Sequence, residues 1–492
     1  MLSFGKFSMM LYTFDDPKKK SLNDITKELL DQLRDAPNEI YMSMPLESEE
    51  EEKPTEDQAN NQEVFDHIRT FNIKPKEVKE YLDRFIINQL DAKKALAIAI
   101  CDHYNFIKEA VNSSTQTHYT KQNIIMIGPT GVGKTYLIKR IAELIGVPFI
   151  KSDATKFTET GYQGGDVEDL VRQLYKKANN NIELAEHGII YLDEVDKITG
   201  AQSSQHKDVS GRGVQSNLLK IMEDTDVTIR PPWDIQTQIK QMMGQKKSGK
   251  PEKETINTKN ILFIMSGAFN QLSDIIKKRL DGATIGFERE ASNTNIKNHV
   301  AYLKKLRTQD LVNFGLEPEF AGRLPVRVTL NDLTTSDLYD ILVHTEDSVL
   351  EQYIMSFKRF NIELAFTDDA LKEISALAHE ENIGARALSS TLEKIFREFK
   401  FELPSTNVHY VLATKNLIKN PEESLKKYLS SPEKQLKSDI KKTIEHALKK
   451  SNLKNISTEG LLNNCLNNAK TGVINSTIQH FFNTISKNVT SN

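Results

Sequence analysis

Cysteine is nearly absent from this chain: Cys101 and Cys465 are the only two in 492 residues. Two thiols cannot build a cysteine-only zinc site or a disulfide-framed secreted fold, so no zinc is expected, and the usage fits a reducing, cytoplasmic setting. Long apolar runs are missing as well, and no segment approaches the roughly 18 uninterrupted apolar residues of a membrane span. The opening MLSFGKFSMMLYTF lacks a basic leader and is broken by Lys6, which makes it a poor signal peptide. Charge of one sign is also lacking. Lys and Arg number 65 against 68 Asp and Glu, a net charge of -3, which argues against broad electrostatic capture of nucleic acid while leaving room for a local basic patch.

What the chain does contain is length and alternation. At about 150 residues per domain, 492 residues suggest about three units. Residues 1–63 hold a short amphipathic helix (Leu22, Ile25, Leu29, Leu33) and then PLESEEEEKPTEDQANNQ, an acidic stretch too poor in apolar side chains to offset its ordering entropy. Residues 64–331 alternate β-rich runs (NIIMI, GIIYLDE, NILFIMSG) with helical stretches, the pattern of a parallel sheet with crossover helices in an α/β fold. Residues 332–415 read as mainly helical with one late strand, VHYVLAT, and residues 416–492 as a Lys- and Asn-rich extension with a helix carrying Leu436, Ile440, Ile444 and Leu448.

The chemistry is concentrated in two motifs. Ile124 to Ile127 run into GPTGVGKT and then into a helical pattern. Gly128, Gly131 and Gly133 open backbone angles closed to other residues, so that with Pro129, Thr130 and Val132 successive N–H groups converge on phosphate at a helix N-terminus. Lys134 is placed for the β and γ phosphates, Thr135 for Mg²⁺, and Tyr136 opens the helix behind them. In GIIYLDEVDK, the apolar strand Ile189 to Leu192 delivers Asp193 and Glu194 at its carboxyl end, Asp193 for Mg²⁺ and its water shell, Glu194 to polarise the attacking water. Either acid alone could be a helix cap. Together with the upstream loop they define a nucleotide hydrolase using ATP and Mg²⁺.

From about Lys74 to about Leu412 the chain resembles the Clp/HslU branch of AAA+ unfoldases, most closely its ClpX members. EVKEYLDRFIINQLDAKKALAIAICDHYNF is similar to the family's adenine-side segment, which implies that Ile86 and Ile87, beside Phe85, border the base with Tyr104 nearby; Asn88 stands where the family usually has Gly. GYQG is similar to the family's aromatic pore loop, which implies a polypeptide-gripping Tyr162 followed by Gln163 in place of the usual Val. NILFIMSGAFNQL resembles the sensor strand, with Ser266 at the sensor position. EFAGRLPVRVTL implies that Arg323 is an arginine finger acting on the neighbouring subunit, and NIGAR implies that Arg386 senses phosphate in cis. A trans residue in turn implies a ring, a homohexamer. Ile285, Gly286 and Phe287 match the IGF-type loop by which ClpX members dock a ClpP-like peptidase.

The chain departs from the family pattern in three places. The N-terminal zinc-binding domain, built on four cysteines, has no counterpart; the segment before the sensor strand carries scattered lysines and Trp233 in place of an Arg-Lys-His loop; and residues past Asn416 extend beyond the family core. The expectation is a cytoplasmic, ATP-driven protein unfoldase that threads unfolded or tagged proteins through a ring pore into a ClpP-like peptidase. The alternatives are a peptidase-independent remodelling chaperone, an HslU-type regulator of an HslV-like peptidase, and a nucleic-acid motor, which the aromatic pore motif and near-neutral charge disfavour.

Overall fold

A computed structural model of the chain describes residues 70–112, 121–157, 165–199, 209–229, 255–281 and 301–450. Contacts divide the chain after Thr55, and all of the described residues belong to the second unit, Glu56–Asn492. The expected N-terminal helix and acidic linker, Tyr162, Gln163, Ile285, Gly286 and Phe287 lie outside the described residues.

Among the described residues the strands are, in chain order, β1 (Ile124–Ile127), β2 (Phe149–Asp153), β3 (Ile189–Asp193), β4 (Asp226–Thr228), β5 (Thr255–Asn257), β6 (Leu262–Gly267), β7 (Val326–Thr329), β8 (Glu363–Phe366) and β9 (Tyr410–Ala413). Five of them form one sheet in the order β2-β3-β6-β1-β7, parallel throughout. Parallel order sets every carboxyl end of the sheet on the same side, where ligands of open α/β sheets bind. β4 and β5 make a small antiparallel pair, and β8 and β9 a parallel one.

The sheet is covered on both faces, as an all-parallel sheet requires. Side chains alternate between two cores along each inner strand: Ile124, Met126, Ile189, Tyr191, Leu262 and Ile264 face one, and Ile125, Ile127, Ile190, Leu192, Phe263 and Met265 face the other. The first core is capped by helices α1 (Pro75–Asp83), α2 (Leu90–Asn112) and α3 (Lys134–Ile145); α4 (Asp169–Lys177) caps the second, α5 (Ile182–Ala185) returns to the first through Leu184 and Ala185, and α6 (Val209–Met222) and α7 (Leu272–Asp281) complete the second. Short helices α8 (Thr308–Phe314) and α9 (Pro318–Gly322) lead into β7.

Beyond β7 the chain is mainly helical: α10 (Thr335–His344), α11 (Val349–Lys358), α12 (Asp368–Glu380), α13 (Arg386–Glu402), α14 (Lys415–Lys419), α15 (Pro421–Ser430) and α16 (Pro432–Lys450), packed around β8 and β9. Their core centres on Phe396, whose ring meets Phe357, Phe366 and Phe399 edge-on at 5.5–6.0 Å. The buried Tyr428 hydroxyl accepts the Leu412 N–H of β9 and donates to Asp439 of α16, each at 3.1 Å, so the last helix is tied to the small sheet. The first core runs without a break from the large sheet into this helical part. Among the described residues, no helix is long and apolar enough to cross a membrane.

Candidate active site

The loop after β1 begins at the sheet's carboxyl edge, where Gly128 N–H bonds to the Gly267 carbonyl at the end of β6. Gly131 and Gly133 have φ of 74° and 93°, left-handed angles that a side chain would strain. Gly131 is also closed sterically, because a Cβ there would lie 2.0 Å from the Ile383 carbonyl oxygen. The loop is therefore pressed against the segment ahead of α13, and Ala385 N–H donates to the Gly131 carbonyl at 2.9 Å. Pro129 and Thr130 sit on the open side, and Val132 is buried.

Lys134 opens α3, and its ammonium donates to the carbonyls of Gly128 at 2.6 Å and Pro129 at 2.9 Å. Burial lowers its pKa, Asp193 and Asp196 oppose that shift, and the Arg386 charge adds to it, so the four groups share one field. Thr135 Oγ1 stands 3.3 Å from the Tyr191 hydroxyl and 3.4 Å from Asp193 Oδ2. Hydroxyl and carboxylate oxygens at this spacing are the donors a hard cation such as Mg²⁺ takes, and the adjoining glycine cradle and lysine suit a triphosphate, so these residues fit Mg²⁺ and ATP. Glu194, exposed, comes next in a left-handed conformation with φ 57°, its N–H on Asp193 Oδ1. That turn ends the strand abruptly and sets the two carboxylates in different directions, one inward at the loop and one outward to solvent.

Ser266 is fully buried on β6, level with Met126 of β1. Its hydroxyl makes no well-formed hydrogen bond among the described residues, and its polar neighbour is the Tyr191 hydroxyl. Arg386 is the exposed first residue of α13. Arg323 ends α9, exposed, and its guanidinium pairs with Glu223 at 2.6 Å. Among the described residues no hydrogen bond or ion pair joins Arg323 to Lys134, Thr135 or Asp193.

On the expected adenine side, Phe85 and Ile86 are buried and Ile87 half-buried. The Arg140 guanidinium stacks 4.1 Å from the Phe85 ring centre and 4.9 Å from that of Tyr136, and pairs with Asp347. Asn88 takes φ 59°, a left-handed angle that Asn tolerates in place of Gly, and Gln89 comes after it at 57°. Gln89 then locks the turn, donating to the Asn331 carbonyl and accepting Asn331 N–H, both at 2.8 Å. Tyr104 serves the core instead: it is fully buried with its hydroxyl on the His187 carbonyl at 3.0 Å. Cys101 is equally inert, its thiol buried, pushed up to about 11 and donating to the Ile73 carbonyl.

Three site residues escape sequence reasoning. Tyr191 looks like one more apolar strand position, yet its hydroxyl reaches Thr135. Asp196, three residues after Asp193, accepts Phe269 N–H and leaves no room for a side chain at Gly267, where a Cβ would lie 2.7 Å from its carboxylate. Lys151, on β2, brings its ammonium within 3.3 Å of both Thr135 Oγ1 and Asp193 Oδ2.

The sequence is similar to those of known proteins. Residues 119–327 match the family model described as AAA domain (Cdc48 subfamily). The chain is 43% identical over 350 residues to the ATP-dependent Clp protease ATP-binding subunit ClpX of Borrelia duttonii (strain Ly), covering 70% of this chain and 78% of that protein. Its counterpart in Borrelia recurrentis (strain A1) matches to the same extent, and the protein of that name in Treponema denticola is 41% identical over 335 residues, covering 67% and 77%. A glycine cradle, an inward lysine and two acids at the end of β3, together with that identity across most of both sequences, show an AAA ATPase that belongs to the ClpX family.

Proposed function

We propose that the chain works as a ring, a homohexamer, that uses ATP hydrolysis to unfold protein substrates and thread them into a ClpP-like peptidase. The observation that carries this reading is the convergence of Lys134, Thr135, Asp193 and Arg386 at one sheet edge, in a chain 43% identical to a Clp protease subunit.

In this reading the loop N–H groups and Lys134 hold the phosphate tail, and Lys134 leaves the carbonyls of Gly128 and Pro129 to do so. Thr135 and Asp193 hold Mg²⁺, which when bound neutralises charge on the β and γ phosphates. Glu194 takes the proton of the attacking water. Ser266 reports on that end of the site through the Tyr191 hydroxyl. Arg386 reaches phosphate in the same subunit, and Arg323 exchanges its Glu223 partner for phosphate held by the neighbouring subunit. Phe85, Ile86 and Ile87 border the base. Tyr162 and Gln163 face the pore and grip substrate, and Ile285, Gly286 and Phe287 dock the peptidase. The setting is the cytoplasm, and zinc has no part.

The experiment is a substrate trap. Glu194→Gln should bind ATP without turning it over and so retain proteins in mid-passage, which mass spectrometry identifies. Diverse soluble proteins together with a peptidase are the expected capture, while a single native assembly without peptidase would replace this reading with that of a dedicated remodeller. Phe287→Ala separates docking from traction: ATP turnover and unfolding should persist while degradation is lost, since a buried aromatic anchor is worth about 2 kcal/mol or more per contact and a ring multiplies the loss.

A further inference from the structure

Lys151 has no part in the phosphate-loop pattern, yet it stands among the oxygens that pattern assigns to the metal. It lies on β2 in register with Tyr191 of β3. Its ammonium is 3.3 Å from Thr135 Oγ1 and 3.3 Å from Asp193 Oδ2, and its side chain is 42% exposed. The lysine is thus neither buried by the core nor confined to a pairing at the rim. A simple surface pair with Asp193 would contribute little and would leave the hydroxyl contact incidental. The two contacts together place a positive charge on the same pair of donors that would hold a divalent cation. An ammonium and Mg²⁺ cannot share donors at that distance, because their like charges repel strongly in a site partly shielded from water.

We propose that Lys151 is a further residue of the nucleotide site, a resident cation that competes with Mg²⁺ for Thr135 and Asp193 and supports ATP binding when metal is scarce. The inference rests on the reading of Thr135 and Asp193 as the metal-side oxygens. Charge alone dictates two consequences. Without metal, Lys151 joins Lys134 and Arg386 in balancing the triphosphate, so ATP is still held. With metal, the ammonium must be expelled from the oxygen pair, so more Mg²⁺ is needed than a neutral residue at 151 would require.

The test titrates the full chain with a fluorescent ATP analogue, once in EDTA and once at fixed analogue with rising Mg²⁺. Lys151→Met should weaken binding in EDTA by about tenfold or more, the worth of one charge-assisted contact, and should lower the half-saturating Mg²⁺ concentration severalfold. Lys151→Arg, which keeps the charge, should restore binding in EDTA. Equal losses of Lys151→Met binding with and without Mg²⁺, unrepaired by Arg, would mean a structural role and overturn the proposal. Thr135→Ala separates the premise from the inference. If Thr135→Ala raises the Mg²⁺ requirement while Lys151→Met moves neither quantity, the role of Lys151 alone is overturned. If Thr135→Ala leaves the Mg²⁺ requirement unchanged, the metal-side reading falls and the proposal falls with it.

Discussion

The inner strands β1, β3 and β6 and the edge strands β2 and β7 end at the same side of one sheet, yet they supply that side differently. The inner strands are buried along nearly their whole length, and short-range bonds hold the turns at their carboxyl ends: Gly128 N–H on the Gly267 carbonyl, Glu194 N–H on the Asp193 carboxylate. The edge strands are less covered: β2 alternates and leaves Lys151 exposed, and β7 buries only Val328, with Arg327 half-buried. Two charged residues there are long and exposed: Lys151 of β2 at this side, and Arg323 just ahead of β7 at the opposite, amino end of the sheet. A site built this way fixes its chemistry at the centre and puts an exposed charge, Lys151, at the rim.

The strongest challenge to that division comes from Arg323, ahead of the edge strand β7, which the proposed reading makes indispensable by having it act across a subunit boundary. Arg323→Ala should lower turnover by about a hundredfold or more, as loss of an arginine finger does. Mixing it with Glu194→Gln subunits should recover part of the activity, at boundaries where an intact Arg323 faces an intact Glu194. Steady-state turnover of the mixture decides the matter; no recovery would mean that the arginine acts in cis.

Next in size is Lys134→Ala, at the centre. Nucleotide binding should fall by on the order of a hundredfold, from loss of a charge-assisted phosphate contact, while Glu194→Gln binds normally. Equilibrium titration with labelled nucleotide distinguishes them, and a matching loss in both variants would erase the separate roles of cradle and base.

The smallest effects concern stability, where centre and edge should part most plainly. Ile190→Ala, in a fully buried strand position, should cost about 2–5 kcal/mol, and Val326→Ala, half-buried at the edge, about 1 kcal/mol. Urea unfolding measures both. Equal costs would show that the edge is packed as tightly as the middle.

The same division explains which parts of the molecule are legible in the sequence. β1, β3 and β6 are buried on both faces, so their sequences IIMI, IIYLD and LFIMSG stand out as apolar runs. β2 and β7, FIKSD and VRVT, mix lysine or arginine into short alternating segments, and β8, ELAF, begins with Glu363; such segments do not announce themselves. The site divides the same way. Lys134, Thr135 and Asp193 come from motifs with fixed spacing and lie close together, whereas Lys151 arrives across a strand pairing that only the fold creates. Tyr191 is hidden for the opposite reason, since a tyrosine in an apolar run reads as core until its hydroxyl is seen to reach the loop.

The bond from Ala385 N–H to the Gly131 carbonyl makes one turn of the phosphate cradle part of a joint. Ile383 and Gly384 press so closely on Gly131 that neither glycine could carry a side chain without moving the other strand of backbone. A shift of the helical part would therefore bear on the loop, as a lever whose short arm is the phosphate cradle. Coupling of this kind is reciprocal. Whatever free energy a nucleotide spends in shifting the lever, a load on the lever returns as a change in nucleotide affinity, so a resisting substrate would be felt at the phosphates as a change in how long they are held.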